Sequence, residues 1–236
     1  MHFLQAEWRK LILANYACDP QVLLPYLPRH TELDTWQGTH YVSLVGFLFD
    51  RTRMLGLRIP FHTRFEEVNL RFYVRRQVAG EWRRGVVFVR EIVPRRALSL
   101  VANTIYREHY VTRPMRHAWT SDDQQQTVAY HWREQGLWQQ LAVMTDKDAH
   151  PIDPASETGF ITEHYWGYTR IDAQQTFEYE VRHPTWDAYP VRSYDIDVDF
   201  GRVYGPVFAS LGDQTPLSVM LAEGSPITVE HTRRLR

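Results

Sequence analysis

Apolar and polar residues alternate along most of this chain, a period-two pattern that predicts strands with one buried face. Two hairpins are predicted: 69–75 with 82–92 across Ala79-Gly80, and 128–132 with 137–143 across Gln135-Gly136. The same alternation predicts further strands at 177–181, 194–200, 217–221 and 227–229. The chain is therefore expected to be dominated by β-structure.

Helical patterns are few. They are predicted at 20–27, 95–110 and 201–211, with a short turn opened by Ser156-x-x-Gly159. No composition shift, repeat or long linker divides the 236 residues. We predict one domain, residues 1–236, of the α+β class. Its strands should be mainly antiparallel and form a barrel-like sheet with a few peripheral helices.

Two arginines open the predicted helix at 95–110. Its apolar positions Leu98, Val101, Ala102 and Ile105 form one stripe, which places Arg95 on the inner edge of the helix and Arg96 almost opposite. Cations at a helix N-terminus oppose its dipole and invite an anion. Alternatively, both arginines are solvated and pair with carboxylates such as Glu91.

The segment 65–71 carries the second candidate group. Glu67, Asn69 and Arg71 share one strand face by alternation. That face could be the wet side of a sheet or, if the sheet encloses a polar pocket, its lining. Both interpretations remain open at the level of sequence.

Composition excludes several classes of protein. A formal net charge of −1 argues against nucleic acid as the main partner. The single cysteine, Cys18, fits a reducing cytoplasm, and no apolar run is long enough to span a membrane. The histidines show no metal-ligand spacing, so neither a metal nor another cofactor is expected. We predict a cytoplasmic protein.

Two sequence motifs resemble known families. Arg90-Glu91-Ile92 followed by Pro94-Arg95-Arg96-Ala97-Leu98 resembles the lysine signature of acetoacetate decarboxylase, and the region from Arg9 to Pro28 resembles its substrate-binding arginine and short helix. Similarity to the YqjF-like, or DUF2071, family of uncharacterised bacterial proteins runs from Glu7-Trp8-Arg9 through Tyr204-Gly205-Pro206 to Glu223-Gly224-Ser225. The resemblance implies a closed cone of strands around a central pocket, and a homo-oligomer.

The chain differs from the decarboxylase signature at the two positions that carry the chemistry. Arg95 and Arg96 occupy both lysine positions, and arginine stays protonated, so it cannot form a Schiff base. Lys10 and Lys147 are the two lysines of the chain. Lys147 lies between carboxylates, and only one of Arg9 and Lys10 can face a pocket from a regular strand. The resemblance selects Arg9.

These observations leave three hypotheses. In the first, a central pocket binds a small anionic molecule of the carboxylate class through Arg95 and Arg9, with Arg96, Asn69 and Arg71 as further candidate ligand-binding residues. In the second, the protein is a lysine-independent enzyme, of lyase or isomerase type, on a small keto or hydroxy acid. Arg95 then polarises a carboxylate or enolate, and Glu67 or Glu91 handles protons. In the third, the pocket is filled and the protein has a structural or interaction role.

Overall fold

The computed structural model describes residues 2–96, 103 and 107–235. Its strands are β1 (Leu4–Ala17), β2 (Glu32–Leu33), β3 (Tyr41–Met54), β4 (Phe65–Val78), β5 (Glu81–Val93), β6 (Tyr110–Thr112), β7 (Met115–Ser121), β8 (Gln125–Glu134), β9 (Leu137–Asp146), β10 (His150–Pro151), β11 (Trp166–Arg170), β12 (Thr176–Arg182), β13 (Asp187–Tyr189), β14 (Val191–Asp197), β15 (Ser218–Val229) and β16 (Arg233–Leu235). The α-helices are α1 (Pro20–Leu23), α2 (Glu157–Thr162) and α3 (Phe200–Tyr204), and Leu24–Tyr26 and Pro206–Asp213 are 3-10 helices.

The larger sheet closes into a ring. Its strands pair in the order β15-β1-β3-β4-β5-β11-β12, and β12 pairs back onto β15. The pairings are antiparallel except that β5 runs parallel to β11 and to β6. The α+β class with mainly antiparallel strands is therefore confirmed.

A second sheet, β14-β9-β8-β7, packs on the outer face of the ring. Gly46 on β3 makes this approach possible, because a Cβ there would lie 3.0 Å from the ring of Tyr130 on β8. On β1, Ile12 and Ala14 belong to the cluster beneath the second sheet, whereas Leu11 and Leu13 face the interior of the ring. Burial of both faces explains the unbroken apolar runs of the central strands.

The turn residues of this chain correctly predict its hairpins. Both predicted hairpins form, and their turns at Ala79-Gly80 and Gln135-Gly136 have positive φ angles of 51° and 88°, and 46° and 90°. That backbone geometry matches the twist of two-residue hairpins. The predicted strands at 217–221 and 227–229 are parts of one strand, β15. Gly224 (φ 83°) lets that strand cross closely over the Trp8 carbonyl.

Two element boundaries differ from the prediction. Phe200, expected to end a strand, instead begins α3, because the Asp199 side chain accepts the backbone N–H of Arg202 and caps a helix there. The predicted helix at 95–110 lies mostly outside the described residues. Its C-terminal end is nevertheless wrong, since Tyr110 starts β6 and pairs with Glu91 of β5. Within the described residues, no helix is long and apolar enough to cross a membrane.

Candidate functional site

The ring of strands encloses a cavity of about 140 Å³. Most of its wall is aliphatic and aromatic, including Leu11, Phe47, Phe49, Val86 and Trp186. A polar wall formed by β4, β5, β6 and the residues that precede β6 contrasts with the rest. A largely apolar cavity with a few convergent polar groups is the usual form of a small-molecule site.

The inward face of β4 supplies half of the polar wall. Glu67, Asn69 and Arg71 all line the cavity and are 2 %, 1 % and 9 % exposed. Asn69 pairs with Glu91 of β5, which also lines the cavity and is 2 % exposed. The structure thus resolves the alternative left open by the sequence: this polar face points into the ring rather than towards water.

Tyr110 contacts one of these carboxyl groups and pairs with the strand that carries the other. Its hydroxyl donates to Glu67 Oε2 over 3.1 Å, and its backbone pairs with Glu91 of β5. Asn69 Nδ2 donates to the other oxygen of Glu67 over 3.0 Å. Glu91 Oε2 is buried and has no hydrogen-bond partner among the described residues.

Glu108 extends the polar wall beside β11 and β12. Tyr179 donates its hydroxyl to Glu108 Oε1 over 3.0 Å, and Thr169 donates to the same oxygen. Gly167 is required for this arrangement, because a Cβ at that position would lie 2.1 Å from the Tyr179 ring. The absence of a side chain at Gly167 therefore leaves room for the Tyr179 ring, whose hydroxyl donates to Glu108.

Burial is the dominant electrostatic influence on these three glutamates. It raises the pKa of Glu67 and of Glu108 to about 7, against hydrogen bonds that favour their charged forms. Burial, followed by repulsion from Glu108 and Glu67, raises the pKa of Glu91 well above its usual range. The polar wall therefore holds protons at neutral pH, and Glu91 is the group that holds its proton most strongly.

Arg71 is the cationic member of the wall. Its hydrogen bond runs from Nη2 to the Ile161 carbonyl over 3.3 Å, and its Nε is buried without a partner in the described chain. No carboxylate of a described residue lies within 4.0 Å of its guanidinium. A buried, unpaired guanidinium beside a cavity is an anion-binding group, because burial without a counter-charge is costly.

His164 forms the cavity wall next to α2. Its Nε2 lies 3.3 Å from Asp34 Oδ2, and Asp34 also binds Arg84 Nε over 2.7 Å. Burial lowers the pKa of His164 to about 4, although hydrogen bonding to Asp34 opposes the shift. The imidazole is thus neutral at pH 7, and its Nδ1 is unpartnered among the described residues.

The arginines singled out in the sequence lie elsewhere. Arg9 binds Glu7 over 2.6 Å and is outside the cavity lining. Arg95, expected to face inward, is exposed, as is Arg96. The helical geometry used for that expectation does not apply to Arg95, because helical conformation begins only at Arg96.

The two lysines also lie outside the cavity lining. Lys10 has a φ of 52° at a bulge in β1, which breaks the alternation assumed for Arg9 and Lys10. Its Nζ binds Glu223 over 2.7 Å and Tyr189 over 3.0 Å. Lys147 donates to the Asp122 carbonyl at the surface.

Three residues of the site were missed in the sequence. Glu108 and Tyr110 fall in the helix predicted at 95–110, and His164 is not among the predicted site residues. Since Tyr110 reaches the site through a parallel pairing with β5, no local pattern could have placed it. For the described residues, no group of three or more His, Cys, Asp and Glu side chains could hold a metal ion.

Residues 5–226 match the family described as DUF2071, uncharacterized conserved protein (COG2071). The chain belongs to the DUF2071 family. The uncharacterized protein YqjF of Bacillus subtilis (strain 168) is 27 % identical over 114 residues, which are 48 % of this DUF2071 chain and 46 % of YqjF. The match thus spans about half the length of that relative.

Solved structures show what fold this DUF2071 chain adopts. Acetoacetate decarboxylase from Legionella pneumophila superposes with a TM-score of 0.65 at 12 % identity, over 99 % of this chain and 87 % of that one. An acetoacetate decarboxylase-like enzyme from Sphingomonas wittichii RW1 gives 0.68 at 13 % identity, over 100 % and 94 %. The enduracididine biosynthesis enzyme MppR with HEPES bound gives 0.68 at 13 %, over 100 % and 88 %. The fold is acetoacetate decarboxylase-like.

Proposed function

We propose that the central cavity binds a small carboxylate, with Arg71 as its anchor. The single observation that carries this proposal is the buried guanidinium of Arg71, which lines the cavity with its Nε unpartnered in the described chain. A carboxylate would supply the missing counter-charge and accept two hydrogen bonds from one guanidinium. Arg71 thus replaces Arg95 and Arg9 as the proposed anchor.

The chemistry of the surrounding wall supports a keto acid within that class. Protonated carboxyl groups, as expected for Glu91 at neutral pH, donate hydrogen bonds to a carbonyl oxygen. One of the fold neighbours, MppR, has been crystallised in complex with pyruvate. Pyruvate is therefore a suitable probe, and acetate, which lacks the ketone, is its matched control.

Calorimetry on four proteins tests the proposal. Pyruvate should bind the wild type, and Arg71→Gln should weaken binding by about 2–5 kcal/mol, because a desolvated charge contact is lost. Arg71→Lys should fall between the two, since it keeps the charge and loses the planar fork. Arg95→Ala should cost less than about 1 kcal/mol, as expected for an exposed charge. Equal affinities in all four proteins would contradict the proposal.

We also infer that the site works without a Schiff base. Neither lysine lines the cavity, and Lys10 is held by Glu223 and Tyr189. Incubation with acetoacetate and borohydride should therefore leave the protein mass unchanged. A stable adduct on Lys10 would show instead that this lysine reacts as an amine.

Assembly into a homo-oligomer is the remaining part of the proposal. The loop between β3 and β4 exposes Leu57 and Phe61, which are 71 % and 86 % exposed, and also Leu55 and Ile59. Several large exposed apolar side chains in one loop are typical of a contact surface. Light scattering should give a multiple of the 28.0 kDa chain mass, and a value of one chain would contradict the inference.

A further inference from the structure

His164 lines the cavity, but its hydrogen bond goes to a residue outside the lining. The side chain is 1 % exposed, and its Nε2 lies 3.3 Å from Oδ2 of Asp34. The Asp34 carboxylate, which pairs with Arg84 over 2.7 Å, can only accept, so Nε2 of His164 carries the hydrogen. The two nitrogens of an imidazole point in different directions, and the Nδ1 edge is therefore turned away from Asp34.

The Nδ1 atom of His164 is a buried acceptor without a donor. Burial lowers the pKa of His164 to about 4, so the ring is neutral at pH 7. A neutral imidazole with its hydrogen on Nε2 has a lone pair on Nδ1. This Nδ1 has no hydrogen-bond partner among the described residues, whereas buried polar atoms are normally satisfied. It requires a donor from a bound molecule.

Asn69 shows the same deficit on the polar wall of the cavity. Its Nδ2 donates to Glu67 over 3.0 Å, and its Oδ1 is buried with no partner in the described part of the chain. Pyruvate satisfies neither acceptor, because its carboxylate and ketone oxygens can only accept. The ligand that matches this wall therefore carries a donor as well as a carboxylate.

Arg71 and His164 lie close enough to hold one small molecule. The guanidinium carbon of Arg71 is 5.6 Å from the centre of the Tyr73 ring, and the His164 ring is 4.7 Å from the same ring. The positive charges of Arg84 and Arg71 both act on His164 and disfavour a second cation there. The donor is therefore a neutral hydroxyl rather than an ammonium group.

We propose that the cavity is built for a hydroxylated 2-oxo acid, with its carboxylate on Arg71 and a hydroxyl that donates to Nδ1 of His164. The inference rests on the proposed function, because Arg71 must hold the carboxylate. It adds the substrate class, an acid with a hydroxyl group on its carbon chain, which pyruvate and acetate lack. His164 determines this specificity, and Asp34 is the positioning residue that fixes its tautomer.

Three ligands that differ in one substituent test the hydroxyl subsite. 3-Hydroxypyruvate has the donor, 3-fluoropyruvate replaces it with a fluorine of similar size that cannot donate, and pyruvate has hydrogen there. In calorimetry on the wild type, 3-hydroxypyruvate should bind about 3- to 10-fold more tightly than either of the others, the gain from one neutral hydrogen bond. Equal affinities, or a preference for 3-fluoropyruvate, would overturn the inference.

His164→Gln is the matched variant. Its amide N–H can still donate to Asp34, whereas the Nδ1 acceptor is lost. The variant should bind pyruvate like the wild type and should have lost the preference for 3-hydroxypyruvate. His117→Gln is the control and should keep the preference, since His117 pairs with Glu66 outside the cavity lining. A preference that persists in His164→Gln would overturn the assignment of the hydroxyl to His164.

Nitrogen-15 NMR of the histidine side chains tests the same assignment on the wild type, even if His164→Gln fails to fold. At pH 7 the His164 signals should be those of the Nε2–H tautomer. 3-Hydroxypyruvate, but not pyruvate, should shift the Nδ1 resonance. A hydrogen on Nδ1 in the unliganded protein would contradict the inference.

The same calorimetry separates this inference from the proposed function. Pyruvate binding that depends on Arg71, with no gain from the hydroxyl, would overturn the hydroxyl subsite and leave the proposed function intact. Absence of binding by all three ligands would overturn both.

Discussion

Two buried glutamates of this protein lie in opposite electrostatic surroundings. Glu178 on β12 is 1 % exposed, and Arg76, Arg83 and Arg233 contact its two oxygens over 2.6–2.8 Å. Burial alone would raise its pKa, but those arginines outweigh burial and lower it. Glu91 on β5 is 2 % exposed, and burial together with neighbouring Glu108 and Glu67 raises its pKa.

This difference distinguishes a cluster that stabilises the fold from a candidate functional site. At Glu178 the buried carboxylate is held by three arginines of the protein itself, and the cluster joins β4, β5, β12 and β16. Among the described residues, no ion pair joins the cavity glutamates to a cation, and no carboxylate lies within 4.0 Å of the Arg71 guanidinium. Buried charged or polar groups without a partner destabilise a fold. They are typical of sites where a bound ligand or a transferred proton supplies the partner.

The largest effect is expected at the balanced cluster. Glu178→Gln leaves three arginines without their carboxylate, and removing one partner of a fully buried pair costs about 3–5 kcal/mol. Because Arg233 is 61 % exposed, water compensates part of the loss, and we expect about 2–3 kcal/mol by urea unfolding. Glu180→Gln, whose partner Arg182 is 59 % exposed, is the control and should cost under about 1 kcal/mol. Equal losses would contradict the distinction.

A second prediction concerns the uncharged donors of the cavity. Gly167→Ala should push the Tyr179 ring away from Glu108, since the new Cβ would lie 2.1 Å from that ring. We expect a loss of about 1–3 kcal/mol, the usual cost of overpacking. Gly212→Ala, where a Cβ meets nothing closer than 3.8 Å, should change stability by less than about 0.5 kcal/mol. A tolerated Gly167→Ala would show that Tyr179 need not lie against this strand.

The third prediction uses pH. A carboxyl group whose pKa is raised by folding stabilises the fold below about pH 4.5, which is its pKa in the unfolded chain. That stabilisation is lost as the pH rises through the pKa of the folded state. Glu91 faces Glu67, Glu108 and Tyr110, so its ionisation should be costly. Glu91→Gln removes that ionisation and should gain about 1–3 kcal/mol relative to wild type between pH 5 and 8.5. A constant difference across that range would mean that Glu91 is already ionised at pH 5.

Much of the fold and part of the candidate site could be predicted from local sequence. The predictions that were wrong have a common cause. Alternation placed Glu67, Asn69 and Arg71 on one face, and turn residues located both hairpins. Whether that face pointed inward depended on ring closure by β12 and β15, which are far apart in sequence.

The same limit explains the missed residues and the misplaced arginines. Tyr110 reaches the cavity by a parallel pairing of β6 with β5 that leaves no local pattern, and Glu108 lies two residues before it. Arg95 was assigned an inward direction from a helical stripe that begins only after it.

A crystal structure with pyruvate at pH 7 tests the central claim most directly. The account predicts the pyruvate carboxylate within hydrogen-bonding distance of the Arg71 guanidinium, inside the ring and beside Glu67 and Glu91. Pyruvate bound at Arg95 or Arg96 on the surface, with Arg71 still hydrogen-bonded only to the Ile161 carbonyl, would contradict it.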